Sequence, residues 1–270
     1  MDKILLFIPM YNCEKQIVRV LQQLTDEVCN YLSEVIIVNN RSTDNGEQAV
    51  MDYLSAHNLP VKVSLLRNDD NYGLGGSHKV AFQYALSNRF SHVIVLHGDD
   101  QGSISDIVPY LHSGDALKLD SFLGSRFEKE SKLINYSRVR IFGNHIFNYL
   151  VSICTGKKLT DLGSGLNMYN SNYLENKFFL RFPDTLTFNV YMLFYGVYSK
   201  SEFAFFPLTW REEDQVSNAK FFKQSLEILK LVSKYVFNKT DLFEEQTQYT
   251  EQSYSYKIIF QSNNSEAENE

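Results

Sequence analysis

Cysteine is scarce: Cys13, Cys29 and Cys154 are the whole supply of this 270-residue chain. An odd count without C-x-x-C spacing indicates neither a disulfide framework nor a zinc site, and buried, reduced thiols are expected instead. Long hydrophobic runs are missing too. No stretch is long enough to span a bilayer. Ile4 to Met10 is too short for a secretory leader and lacks a small-residue cleavage site, so an intracellular protein is expected, in the cytoplasm. Positive charge is not in surplus either. The formal net charge is -6. Asp241, Glu244, Glu245, Glu251, Glu266, Glu268 and Glu270, set against Lys257, put that excess into residues 240–270. The body of the chain is electrically balanced, which argues against non-specific nucleic-acid binding, since that requires a basic face.

What is present is a core. With 44% hydrophobic and 14% aromatic residues, the chain can fill one domain, or a domain and an appendage. Ile4 to Ile8 reads as a buried strand stopped by Pro9, and Asn12 as the cap of a helix from Cys13 to about Leu32, with Ile17, Val20, Leu21, Leu24 and Val28 on its apolar face. Val35 to Val38 is the next strand and ends in Asn39-Asn40-Arg41-Ser42-Thr43-Asp44, a polar turn before a helix over about Gly46–His57. After Pro60, Val61 to Leu66 alternates like a more exposed strand, and a helix through Leu86 follows the Asn-, Asp- and Gly-rich stretch Arg67 to Gly76. Strands alternating with helices from the first residue onward predict an α/β fold with a mostly parallel sheet and right-handed crossovers. Asn71-Tyr72-Gly73-Leu74-Gly75-Gly76 is a weak dinucleotide look-alike that follows the third strand and lacks G-x-G-x-x-G spacing, so that reading is rejected. Its glycines let the backbone approach a ligand, or simply turn into the helix.

The stretch from His92 to Gly102 organises the rest. Val93, Ile94, Val95 and Leu96 are apolar without alternation, as suits a central strand covered on both faces. Ligands of open α/β sheets gather at the C-terminal ends of such strands. If the extended backbone continues past Leu96, its period of two puts His97, Asp99 and Gln101 on one side and Asp100 on the other. One imidazole, one carboxylate and one amide oxygen, with open positions left over, suit a divalent ion shared with substrate phosphates, Mg2+ or Mn2+, and the imidazole favours Mn2+. The competing reading is an Asp-Asp turn capping the next helix.

Further on, Ser103 and Asp106 resemble a capping pair for a helix to about Leu111, and Ser121 to Leu123 leads into Gly124-Ser125-Arg126-Phe127. Glu128 to Ser137 is polar and expected as a mobile surface segment. A helix over about Arg138–Thr155 precedes Thr160-Asp161-Leu162-Gly163-Ser164-Gly165, and 186–198 and 202–208 read as a helix and a strand before the polar turn Trp210 to Asp214. Over 219–239 a helical wheel gathers Lys220, Lys223, Glu227, Lys230 and Lys234 on a narrow face, and Phe222, Leu226, Leu229, Val232, Val236 and Phe237 on a broad apolar one. Such a helix either lies in a membrane interface or packs its apolar face on the domain. Residues 240–270 read as an acidic, partly disordered tail, with Tyr254 to Phe260 as one strand or partner-binding stretch.

Seven motifs, in this order, resemble glycosyltransferase family 2, which has the GT-A fold, and most closely its polyprenyl-phosphate sugar transferase branch: residues 8–12, 38–44, 71–76, 97–101, 124–127, 143–144 and 160–165. The resemblance covers about residues 3 to 220 and implies a catalytic domain over 1–218. Carried over by position, Pro9, Tyr11, Asn12, Asn40, Asn71, Gly73, Gly98 and Asp99 line the nucleotide site. Asp99 and Gln101, with His97, hold the metal on the donor diphosphate. The implied reaction is inverting transfer of a sugar from a UDP- or GDP-linked donor, with the metal neutralising the departing diphosphate. A hydroxyl acceptor needs a general base, for which Asp161 is the candidate, with a role as loop cap equally open. A phosphate monoester instead needs cations, and Arg126, Arg138 and Arg211 stand at motif-linked positions. Asp99, Arg126 and Asp161 are thus the expected catalytic set, with a polyprenyl phosphate at the inner face of the cell membrane as the expected acceptor. A saccharide hydroxyl, as in cell-surface polysaccharide assembly, is the alternative, and a degenerate domain that binds nucleotide without catalysis is a third reading. The chain departs from the family pattern in three places. His97 replaces the first Asp of the metal motif, Asn39 and Asn40 replace a pair of Asp, and Cys13 displaces Glu14 by one position.

Overall fold

The computed structural model describes residues 2–214, 221–244 and 253–262. In chain order the elements are β1 (Ile4–Met10), α1 (Glu14–Gln22), α2 (Asp26–Cys29), β2 (Glu34–Asn39), α3 (Gly46–Ala56), β3 (Val63–Asn68), α4 (Gly73–Ser87), β4 (His92–Leu96), α5 (Val108–Ser113), β5 (Ser121–Ser125), β6 (Lys132–Ile134), α6 (Arg138–Thr155), β7 (Leu166–Asn170), α7 (Ser171–Leu174), α8 (Phe188–Tyr198), β8 (Phe203–Pro207), β9 (Thr209–Arg211), α9 (Phe221–Phe243) and β10 (Tyr256–Gln261). Eight strands form one sheet in the order β10-β3-β2-β1-β4-β7-β5-β8. The pairs β1–β2, β1–β4, β2–β3 and β5–β8 are parallel. β7 runs antiparallel to both β4 and β5, and β10 antiparallel to β3. β6 and β9 make a separate parallel ribbon.

The non-alternating apolar runs are explained by two covered faces. Leu5, Phe7, Val93 and Val95 join a core with Val80 and Phe82 of α4 and Phe188 and Phe194 of α8. Their neighbours Leu6, Ile8, Ile94 and Leu96 join a second core with Ile17, Val20 and Leu21 of α1 and Val50 and Leu54 of α3. The expected α/β sheet with flanking helices is therefore present, with β1 and β4 at its centre.

Several expectations need correction. β1 runs through Pro9 to Met10. The carbonyl of Pro9 accepts the Gly98 N–H, so the strand stays paired at its end although proline donates nothing. The first helix stops at Gln22 and restarts at Asp26, because the Thr25 side chain accepts the Val28 N–H and caps a new turn. Asn12 caps nothing: it adopts φ 50, and Cys13 takes the cap position of α1. β3 is buried rather than exposed, since β10 covers its edge and the Ser64 hydroxyl donates to Glu34 inside the sheet. The Glu128–Ser137 segment contributes β6, and the Asp106 carboxylate accepts from Thr209 while only its backbone N–H bonds Ser103.

The C-terminal helix extends to Phe243 with a break at Asn238. Lys220 lies outside the described residues, as do the Phe222 and Lys223 side chains. Leu231, Val232 and Tyr235 pack on the domain, while Leu226, Leu229, Val236 and Phe237 of the expected apolar face stay in solvent. Among the described residues no helix is long and apolar enough to cross a membrane.

Candidate active site

The parallel strands deliver their loops to one end of the sheet, where three asparagines bind the loops to each other. Asn40 is buried, and its backbone N–H donates to Met10. Its side-chain oxygen accepts from the Tyr72 N–H (2.9 Å) and from Asn68 (3.0 Å), while its NH2 donates to Asn71 Oδ1 at 2.8 Å. Asn71 Oδ1 also accepts the Gly73 N–H at 3.0 Å. Asn12 Oδ1 accepts the Thr43 N–H at 2.8 Å, and the Asn12 N–H donates to Ser42 Oγ at 3.1 Å. Asn39 donates to Glu47 and accepts from the Ser42 N–H. The Asn40 oxygen and one N–H of its amide are thus committed to the scaffold. Tyr11 is the expected base-pocket residue that stands in solvent, 43% exposed, with its ring able to stack. Pro9 and Gly98 form the floor. A Cβ at Gly98 would sit 2.7 Å from the Pro9 carbonyl, so glycine is what allows β1 and β4 to converge.

The glycines after Asn71 serve a close approach, but to the chain itself. Gly73 adopts φ +70, and its missing Cβ would lie 2.3 Å from the Asp184 carbonyl. The Gly75 N–H donates to that carbonyl at 2.9 Å. Asp184 in turn pairs with the buried Lys79 at 2.7 Å.

The backbone leaves the extended conformation after Leu96: Gly98 and Asp99 form a turn and Asp100 is left-handed at φ 58. This separates the expected ligand set. Asp100 does go to the other side, where it accepts from Arg19 at 2.7 Å and from Gln23 at 2.9 Å on α1. The His97 ring packs against Gly165 and lies edge-on to His78, with centroids 6.0 Å apart. Nε2 of both rings is buried without a hydrogen-bond partner. Burial presses His97 down to about 4, and burial together with its neighbour presses His78 down to about 3. The His97 imidazole packs between β4 and α4, and the period-two register that groups it with Asp99 does not continue past Gly98.

Asp99 behaves differently. Burial pushes its carboxyl up to about 6, against the hydrogen bond from the Gln101 N–H and with Asp100 adding to the rise. No cation pairs with it among the described residues, and the Gln101 side chain makes no hydrogen bond with any of them. A desolvated carboxylate beside an uncommitted amide fits a divalent ion that takes its remaining ligands from a diphosphate. No cluster of three or more His, Cys, Asp or Glu ligands exists among the described residues.

At the end of β5, Arg126 and Asp161 form a buried fork-to-fork pair. Asp161 accepts from Arg126 Nε (2.8 Å), from its terminal NH2 (2.7 Å), from its backbone N–H (2.9 Å) and from the Gly163 N–H (3.1 Å). The guanidinium lies over Trp210 at 5.1 Å and donates to the Tyr136 hydroxyl. Burial opposes its charge, yet Asp161 holds it above the ordinary arginine value. With both oxygens committed, Asp161 fits a counter-ion and loop cap, and the geometry gives no support to a general base. Arg211 is the contrasting cation. Its backbone N–H donates to the Gln101 carbonyl at 2.9 Å, directly beside the Asp99 turn, and its Nε–H is buried without a partner. Arg138 is exposed at the start of α6, apart from this network.

Arg19 and Gln23, which hold Asp100, and Tyr136 and Trp210, which surround Arg126, were not visible as site residues. Their partners are far away in sequence, and no local pattern marks them.

A family model, Glycosyl transferase family 2, matches residues 6–178. An uncharacterized protein of Methanocaldococcus jannaschii is 28% identical over 173 residues, covering 63% of this chain and 65% of its own length. The dodecaprenyl-phosphate galacturonate synthase of Rhizobium johnstonii is 23% identical over 172 residues, 63% of this chain and 48% of that protein. The chain therefore spans less than two thirds of either relative. Among solved structures, glucosyl-3-phosphoglycerate synthase from Mycobacterium tuberculosis in complex with Mn2+ and UDP-glucose superposes with a TM-score of 0.59 at 11% identity, over 87% of this chain and 79% of that one. At that identity the likeness establishes the fold alone.

Proposed function

The chain belongs to glycosyl transferase family 2, and we propose that it transfers a sugar from a nucleotide-sugar donor to a polyprenyl phosphate at the inner face of the cell membrane. Arg211 carries the acceptor half of this reading. It is a cation with an unpartnered, buried N–H, tied through its backbone to the turn that bears Asp99. A phosphate monoester is already a nucleophile at neutral pH and needs such a cation for placement. A hydroxyl acceptor needs a base instead. Of the nearby carboxylates other than Asp99, Asp100 is held by Arg19 and Gln23 and Asp161 by Arg126. The Rhizobium relative, named for a dodecaprenyl-phosphate product, supports the same acceptor class.

In this mechanism Asp99, with Gln101, would hold Mn2+ or Mg2+, which when bound would neutralise charge on the leaving diphosphate. Tyr11 stacks on the base, while Asn12, Asn40 and Asn71 keep the loops in register around it. Arg211 orients the acceptor phosphate, whose oxygen bonds to the anomeric carbon as the bond to the nucleoside diphosphate breaks. Arg126 keeps the 161–165 loop in place and positions the rim of the site.

Calorimetric titration with UDP and with GDP, each with Mn2+, Mg2+ or chelator, tests the donor half. Metal-dependent binding lost in Asp99→Ala is expected, and undiminished binding in that variant would remove the metal assignment. Transfer assays in detergent test the acceptor half: Arg211→Ala should lose transfer to polyprenyl phosphate while keeping nucleotide affinity. Robust transfer to a soluble saccharide without lipid would replace this acceptor with a hydroxyl. Tight nucleotide binding with no donor consumption across acceptors would identify a degenerate domain.

A further inference from the structure

Helix α6 is an unusual element for a globular surface. Only Asn148 and Val151 among its 18 residues are buried. Val139 (80% exposed), Phe142, Ile146, Tyr149, Leu150 and Ile153 are all in solvent. At 100° per residue these six fall on one continuous stripe, where a soluble helix would carry polar side chains. The opposite face holds the candidate site: Arg140 pairs with Glu212 (2.6 Å), Asn144 donates to Tyr136, and Asn148 donates to the Thr160 carbonyl. One side of α6 therefore supports the Arg126 network while the other side presents apolar residues outward.

Charge identifies what covers that face. Residues 131–160 contain no Asp or Glu, but carry Lys132, Arg138, Arg140, Lys157 and Lys158, in a chain whose net charge is -6. Exposed Arg138 stands at one end of the stripe and exposed Lys157 and Lys158 just beyond the other. A second copy docked through this face would be self-complementary, and so would set these cations against their own equivalents with no acid on the helix to compensate. An anionic lipid surface offers both missing partners, acyl chains for the stripe and headgroup charge for its basic ends. Helix α9 packs against α6 and likewise exposes Leu226, Leu229, Val236 and Phe237 beside Lys230 and Lys234.

We infer that the outer face of α6 is a membrane-docking surface that lies flat on an anionic bilayer and holds the Arg126–Arg211 rim against it. The purpose of this surface rests on the lipid-acceptor reading, whereas the exposed stripe and its basic ends do not. With α6 on the membrane, the site rim lies about one helix diameter, roughly 10 Å, from the headgroups. A phosphate on a lipid needs to rise only that far to reach Arg211.

Flotation of the full chain with phosphatidylcholine vesicles, with and without phosphatidylglycerol, tests this. The chain should float with the anionic vesicles and not with phosphatidylcholine alone, and high salt should weaken the association. Phe142→Glu/Ile146→Glu should lower the partition coefficient by at least about tenfold. Lys157→Glu/Lys158→Glu should lower it by roughly fivefold per residue or more. Circular dichroism and nucleotide titration should be unchanged in both variants, since none of the four side chains is buried or touches the site. Failure of the unaltered chain to float with anionic vesicles would overturn the inference. So would equal flotation of the Phe142→Glu/Ile146→Glu variant, or a dimer by sedimentation that this variant disperses. Transfer to polyprenyl phosphate in detergent needs no bilayer, so its failure alongside successful flotation would count against the acceptor and leave the surface standing.

Discussion

Replacing Asp161 by Asn separates two roles that the sequence left open. If Asp161 is the counter-ion of Arg126, the substitution removes one partner of a pair whose side chains are 1% and 13% exposed. Asn keeps the size and one acceptor oxygen, so the lost quantity is charge. Breaking a buried pair from one side costs about 3–5 kcal/mol, because the other charge stays desolvated and unpaired. For a chain of this size each kcal/mol lowers the melting temperature by about 2–4 °C, so a fall of roughly 10 °C is expected in a thermal melt. The companion variant is Arg126→Met/Asp161→Asn. With neither charge left, the double variant should be less destabilised than the sum of the singles by about 2 kcal/mol or more, the signature of direct coupling. Melts of all four proteins at one pH close the cycle. A melting temperature of Asp161→Asn within about 2 °C of the parent, with turnover abolished, would refute the counter-ion assignment and return Asp161 to the substrate as a base.

Asp99 should show opposite pH trends for stability and for binding. Its folded value of about 6 lies above the ordinary 3.8, so its contribution to stability is fully present below 3.8 and is lost as pH rises through 6, at most about 3 kcal/mol. Asp99→Asn should therefore raise the melting temperature at neutral pH while abolishing metal-dependent nucleotide binding, and a lowered melting temperature would show that burial does not strain this carboxylate. In the parent, metal-dependent affinity should fall about tenfold per pH unit below 6 and level off above 7, as calorimetry across pH would read. Gly98→Ala should destabilise by about 1–3 kcal/mol in urea, because its Cβ meets the Pro9 carbonyl at 2.7 Å and backbone has to move. Asp100→Ala should also destabilise, by taking one acceptor from Arg19 and one from Gln23, yet leave metal affinity within about twofold; a large affinity loss would make Asp100 a ligand.

The sheet was readable because its central strands are covered on both faces, and that condition writes itself locally as unbroken apolar runs such as Leu5–Ile8 and Val93–Leu96. Where burial depended on distant chain, the local pattern misled. Val61 to Leu66 alternates because Ser64 has a hydrogen-bonding partner in Glu34, and β10, nearly two hundred residues later, closes its edge. The site divides in the same way. The place of Asp99 at the end of a buried strand is legible in sequence, and the structure puts it in the turn that follows β4. His97 was assigned with it by extrapolating a strand period across a glycine, and Gly98, required there by the Pro9 carbonyl, is where the period ends. Asn40 was expected to read a base, but whether an amide faces ligand or scaffold depends on Asn68, Asn71 and Tyr72, which arrive from another loop. The stripe on α6 is hidden in the sequence for a related reason: amphipathic spacing gives a helix an apolar side, and only the packing of Asn144, Asn148 and Val151 toward the site reveals that this apolar side is the one turned away from the core.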